Sequence, residues 1–168
     1  MYSQAASGAV VPAQPPVVRA GQSLTGAPIR FVGKETFVKL AEETGATPIT
    51  ILEDVSPPHH GPPLHKHSFE EFFYILSGRF IFEVDGKTFE AQTGDFAHAP
   101  SDVAHAFQNI TDQEARMLVV IRPGGIENYF VELANRMMID PSDMAALNAI
   151  AVRYGITILG PPIGARSK

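Results

Sequence analysis

The chain contains no cysteine, so neither a disulfide nor a thiolate–metal site can be part of its chemistry. Cations are in deficit. Lys plus Arg number 13 against 18 Asp plus Glu, a net charge of −5 with histidine neutral, and no long basic run offsets it. That balance argues against a nucleic-acid partner. No apolar run reaches the ~18 residues of a membrane span, and no basic stretch followed by an apolar one opens the sequence, so neither a membrane partner nor a secretory leader is expected. The expected compartment is the cytoplasm. No internal repeat is visible. What remains is 168 residues with 45% hydrophobic content, enough for one domain with a packed core.

Residues 1–28 are Ala, Ser, Gly, Pro, Val and Gln without a period, which predicts a flexible N-terminal arm, with an edge strand at Val17 and Val18 as the competing reading. "FVKLAEE" and "PITILEDV", separated by "TGAT", predict a hairpin. A helix over Lys34–Glu43 competes, because Phe37, Leu40 and Ala41 also sit at helical spacing. From Glu71 to Pro100, short apolar runs are punctuated by "SG", "DG" and "TG". Many short strands at such spacing predict a sandwich or barrel, and "VDGK" predicts a tight hairpin. After Gly124, "IENYFVELANRMM" and "DPSDMAALNAIAVRYG" predict two helices packed outside the barrel. Asp140 is the candidate N-cap of the second, with Pro141 at its first position, Gly155 as its stop, and Met144, Leu147, Ala151 and Tyr154 on one face. The domain plan is therefore arm 1–28, β-barrel 29–123 and helices 124–168.

The chemistry is concentrated in "GPPLHKHSFEE". His65 and His67 are two apart, and residues i and i+2 of an extended chain face the same way. Glu71 shares that parity if the strand runs on without a bulge. Imidazole suits zinc, copper, iron and nickel, and a carboxylate widens the choice towards manganese. An unpaired carboxylate beside "FFYIL" would be costly to bury, and a metal removes that cost.

With "GDFAHAPSDVAHAFQN" included, the sequence resembles the cupin superfamily. The first motif, G-x5-H-x-H-x3-4-E-x6-G, is matched at His65, His67, Glu71 and Gly78, with His59 in place of its first glycine. The second, G-x5-P-x-G-x2-H-x3-N, is matched at Gly94, Pro100, His105 and Asn109, with Asp102 in place of its middle glycine. The resemblance implies an all-β double-stranded β-helix (a jelly roll) with a C-terminal helical extension. It also implies one divalent transition metal (Fe, Mn, Ni, Co, Cu or Zn) held by His65, His67, Glu71 and His105. Spacing alone does not bring His105 to the other three.

Phe73 and Ile75 share Glu71's parity and are candidates to line the pocket, with Phe80, Phe82 and Phe107 as further candidates. The competing reading for each is plain core packing. His98 is either a proton shuttle in the pocket or an outward residue. His59 and His60 are expected to be solvated, Glu70 and Tyr74 to face outwards, and Asn109 to organise a turn. The layout further resembles small single-domain cupins of the quercetin-dioxygenase-like type. This implies a dioxygenase for a small aromatic or enol-type substrate, with Glu71 as ligand and catalytic base. The alternatives are a non-redox metal-dependent isomerase, cyclase or decarboxylase, or a non-catalytic small-molecule binding protein. A homodimer is expected from strand edges that need cover.

Overall fold

The structure, a computed structural model, describes residues 17–31, 33–42, 48–140 and 142–166. Two antiparallel sheets make a jelly roll. One contains, in spatial order, β1 (Ile29–Phe31), β2 (Lys34–Leu40), β3 (Thr50–Ser56), β10 (Ala115–Arg122), β5 (Glu70–Ser77) and β8 (Phe96–Ala99). The other contains β11 (Thr157–Pro162), β4 (Pro63–Lys66), β9 (His105–Asn109), β6 (Arg79–Val84) and β7 (Lys87–Gln92). The chain repeatedly crosses from one sheet to the other, so residues close in sequence come to face each other across the interior.

Alternation decides what points inwards. Along β5, Glu71, Phe73 and Ile75 are buried, while Tyr74 and Leu76 are exposed. Phe73 meets Phe82 of β6 and Phe107 of β9, with ring centroids 5.2 and 5.6 Å apart, and so ties one sheet to the other. Burying each such ring stabilises the fold by about 1.5–3 kcal/mol. At the β6–β7 hairpin, Asp85 and Gly86 both take positive φ between the paired Val84 and Lys87. That is the type I′ geometry expected of "DG".

The 34–40 stretch is a strand and not a helix. It pairs with both β1 and β3, and Thr36 lies opposite Asp54. The "TGAT" turn (residues 44–47) lies outside the described residues, as do residues 1–16 of the expected arm. Val17 and Val18 are described and are not in a strand.

Two helices follow the barrel, α1 (Glu127–Ile139) and α2 (Met144–Arg153). The expected cap of α2 is corrected. Asp143, not Asp140, is its N-cap, and the Asp143 carboxylate accepts the Ala146 N–H at 3.0 Å. Asp140 is the C-cap of α1 and turns the chain by accepting from the Ser142 N–H and hydroxyl. "DPSD" offers two acidic residues, and only the second sits where the first helical N–H groups point; Pro141 lies outside the described residues. The buried face of α2 is Leu147, Ile150 and Ala151, with Met144 exposed. Gly155 does end the helix, with φ +71.

The helices are not simply external. Thr50 donates to the buried Glu127 carboxylate at 2.6 Å and accepts from the Gly125 N–H at 3.0 Å, which fixes the start of α1 over the barrel. Both helices then wall a cavity inside it. The C-terminal segment is not wholly helical either. β11 adds to the second sheet by pairing with β4, and a short helix, α3 (Ile163–Arg166), follows it. Among the described residues, no helix is long and apolar enough to cross a membrane.

Candidate metal centre

His65 lies on β4, in one sheet, and Glu71 on β5, in the other. The strand therefore does not run on from the first histidine to the glutamate, as the parity argument supposed. His67 sits in the three-residue bend between the strands, and the residues converge because the inner faces of the two sheets oppose each other. His105 arrives by direct cross-strand pairing, opposite His65 on β9. One donor atom from each of the four side chains can be chosen so that all lie within 4.8 Å of one another. His67, Glu71 and His105 are buried and His65 is half-buried.

Each imidazole is held in the same way. Nδ1 of His65 donates to the Pro63 carbonyl at 2.8 Å, that of His67 to Phe69 at 2.9 Å and that of His105 to Val103 at 2.9 Å. A carbonyl only accepts, so Nδ1 carries the proton and Nε2 keeps its lone pair for the site. This is the usual support of a metal-ligating histidine. Nε2 of His67 is buried without a hydrogen-bond partner, and Nε2 of His105 lies 3.2 Å from the Glu71 carboxylate. An orphaned buried nitrogen, two further imidazoles and a carboxylate facing one point fit a divalent metal. The group can hold a metal ion, and its donor set does not select which one.

Electrostatics follow from this crowding. Burial pushes the His65 imidazole down to about 4, assisted by neighbouring His105, so His65 is neutral at pH 7. Burial opposes ionisation of Glu71, but the imidazoles of His105 and His67 outweigh it and hold that carboxyl well below the usual range. His105 is pulled down by burial, yet the hydrogen bond and charge of Glu71 raise it above the ordinary histidine value.

The substituted motif positions keep their backbone. His59 (φ 57) and Asp102 (φ 61) take the left-handed conformation that glycine usually supplies there. Gly61 has a different constraint, since a Cβ would lie 1.9 Å from the Phe107 carbonyl oxygen. Asn109 is fully buried and organises the turn beside it, donating to Ser56, Pro57 and Gln113 carbonyls and accepting from Thr111.

The metal group sits in the wall of a cavity of about 620 Å³. Phe73 and Phe107 line it, with Leu52, Val119 and Ile121 beside them. Three expected wall residues do not. Ile75, Phe80 and Phe82 are buried in the core beyond it, where facing strands fill the space with side chains. His98 takes the outward of its two readings and does not line the pocket. It lies opposite Phe72 across the β5–β8 pair, stacks on that ring at 4.7 Å and approaches Glu70 at 3.6 Å on the outside, while Ala97 and Ala99 take the inward positions. His59 is exposed and meets Asp112.

Sequence reasoning missed four ionisable cavity residues. Tyr129 of α1 lines the cavity, its hydroxyl pushed up to about 12 by burial and then by the Glu71 carboxylate. Lys34, Asp54 and His60 line it too. His60, expected in solvent, is half-buried. The signal for Lys34 and Asp54 was their parity, because Lys34 shares the inward face of Thr36 and Val38, and Asp54 that of Thr50 and Leu52.

Residues 52–121 match the cupin domain family. The chain is similar to a protein named polyketide synthase CurC from Streptomyces cyaneus, 38% identical over 60 residues, covering 35% of this chain and 39% of that protein. It is also similar to quercetin 2,3-dioxygenase of Bacillus subtilis, 31% identical over 72 residues, covering 42% of this chain and 21% of that enzyme. Among solved structures, a predicted oxalate decarboxylase from Thermotoga maritima is 28% identical with a TM-score of 0.50, covering 52% of this chain and 78% of that one. The chain covers less than two thirds of the length of these curated relatives.

Proposed function

We propose that this cupin is a metal-dependent dioxygenase acting on a small aromatic or enol-type substrate bound inside the barrel. One observation carries the reading: three imidazoles and one carboxylate converge at the wall of a largely apolar cavity of about 620 Å³. That volume suits a substrate of two or three rings. The similarity to a quercetin 2,3-dioxygenase supports the choice of chemistry.

A divalent transition metal held by His65, His67, Glu71 and His105 would supply open coordination positions and, if redox-active, a route for electrons to oxygen. The chain's own part is distinct. Glu71 is ionised at neutral pH, the form that accepts the proton of a substrate hydroxyl. The backbone carbonyls behind the imidazoles keep the three rings aimed without help from substrate. Phe73, Phe107 and Val119 present an apolar wall to an aromatic body, and Ile126, Leu133 and Leu147 line it from the helical side.

Elemental analysis of protein purified without a histidine tag, paired with an oxygen electrode and a panel of flavonols and 1,3-diketones, tests the reading. Metal-dependent oxygen uptake is the expected result. The similarity to a protein named as a polyketide synthase favours one second reading, non-redox turnover of an enolisable carbonyl substrate. Product formation without oxygen uptake would select it, and a ligand recovered unchanged would leave only binding.

We also propose a homodimer. Tyr74, Leu76 and Phe96 are exposed on the outer face of β5 and β8, and β8 is an edge strand. A second copy that covers this edge would remove both liabilities. A monomer mass by light scattering at micromolar concentration would refute this.

A further inference from the structure

The cavity has a second polar pole. Lys34 and Asp54 are buried, with 7% and 3% of their surface exposed, and Nζ meets the carboxylate at 2.6 Å. Thr36 donates its hydroxyl to the other oxygen of Asp54 at 2.7 Å. The ammonium also lies 5.5 Å from the ring centroids of both Phe31 and Phe130, which line the same cavity. Nδ1 of His60, on the cavity wall, is buried with no hydrogen-bond partner.

The placement relative to the metal group can be read from the sheet. Asp54 lies level with Met117 and Ile75, while Thr50 lies level with Ile121 and Glu71. Asp54 is thus four residues of strand away from the level of Glu71, roughly 13 Å at the usual rise. Between the two levels lie Leu52, Val119 and Phe73, paired side by side across three strands and all facing the cavity.

We propose that Lys34, Asp54 and His60 form a recognition site for a neutral oxygen group, a hydroxyl or carbonyl, on the end of the substrate remote from the metal group. This rests on the reading that the cavity takes an aromatic or enol-type substrate. Charge decides the class. Lys34 and Asp54 cancel, and His60 is held neutral by burial and then by the nearby Lys34 cation. A carboxylate delivered there would find no uncompensated positive charge. A phenolic hydroxyl can accept from the remaining ammonium N–H groups and pair with Nδ1 of His60, leaving no buried polar atom alone. The metal group differs, since three neutral imidazoles and one carboxylate around a divalent ion leave one positive charge. The preferred substrate is therefore a singly charged enolate or phenolate whose far ring carries a neutral hydroxyl or carbonyl.

Binding to the metal-loaded protein without oxygen tests this. The probes are quercetin, hydroxylated on its outer rings, and 3-hydroxyflavone, which lacks those hydroxyls. Native protein should bind quercetin more tightly, by about tenfold for one or two hydrogen bonds. In K34M/D54L, which replaces the ion pair with apolar side chains, and in His60→Phe, the preference should vanish while 3-hydroxyflavone affinity and metal content hold. If the double variant does not fold, His60→Phe alone decides. An unchanged quercetin preference in the folded variants, or native protein that binds the two flavonols equally or not at all, overturns the proposal. Failure of the dioxygenase reading is seen separately, as binding without oxygen uptake when air is admitted.

Discussion

The two poles of the cavity are both buried and both charged, yet they solve burial in opposite ways. At the far pole, Lys34, Asp54 and Thr36 satisfy one another and sum to no charge. At the metal pole, four donors point at a shared space, Nε2 of His67 has no partner, and the only formal charge on neutral ligands is that of Glu71. The means of support differ as well. Side chains hold the far pole in place, whereas backbone carbonyls of Pro63, Phe69 and Val103 aim the imidazoles. The lesson is that a buried charge by itself does not mark a metal site. Donor atoms that converge on one point, one of them a buried nitrogen with no hydrogen-bond partner, do.

The largest expected effect breaks the self-sufficient pole. Asp54→Ala leaves Lys34 charged and unpaired in the interior and should cost about 3–5 kcal/mol of stability, whereas replacing both partners with apolar residues should be near neutral. Urea denaturation of the two variants checks this, and equal losses would show that the ion pair is not what matters. The complementary break is His105→Ala. Loss of outer-shell support already weakens metal sites by 10–100-fold, so removing a direct ligand should reduce metal affinity by at least ~100-fold. Elemental analysis after gel filtration reads the result, and full metal content in the variant would remove the site.

The next effect is pH-dependent and belongs to the metal pole alone. Metal competes with protons for the imidazoles. His65 stays neutral down to about 4, and Glu71 stays ionised, but His105 holds its proton to a pH above the ordinary 6.5. On this account His105 supplies a competing proton as pH falls through its raised value, and affinity drops about tenfold per pH unit for each proton displaced. Metal uptake between about pH 4 and 6.5 should release that proton, which calorimetry in buffers of different ionisation enthalpy can count. No dependence of affinity on pH in that range would show that the Glu71–His105 pair does not form. Quercetin preference at the far pole should stay level as pH rises from 6.5 to 8, because His60 is already neutral there.

How much of this could be read from sequence follows the same division. The metal pole was legible because its residues sit in two tightly spaced motifs, and the barrel strands because alternation and "DG" are local signals. The route by which the metal-pole residues converge was not, since parity along one strand was the expected route and His65 and Glu71 belong to different sheets. The far pole stayed hidden for a local reason. Lys34 begins a stretch whose Phe37, Leu40 and Ala41 also fit a helix, and a lysine is taken to face water unless its partner, here 20 positions on, is known. β11 was hidden because "ITILGPP" follows two helices and carries glycine and prolines, which weaken a strand signal. It forms as an edge pairing with β4, a contact that only the folded barrel offers.

The smallest effect concerns the cover that the two poles share. Asp143 caps α2 through the Ala146 N–H, and Leu147 and Ala151 of that helix line the cavity. Asp143 also meets Arg136 of α1, so the cap joins the two helices. Asp143→Ala should destabilise by about 1 kcal/mol, the usual loss for an N-cap, and lower Tm by ~2–4 °C in a chain of this size. Asp140→Ala, which removes only a turn outside α2, should cost less. Because the cover spans both poles, Asp143→Ala should weaken quercetin and 3-hydroxyflavone by the same factor and leave metal content alone. A selective loss of quercetin would mean that α2 sets the far pole's geometry as well as roofing it.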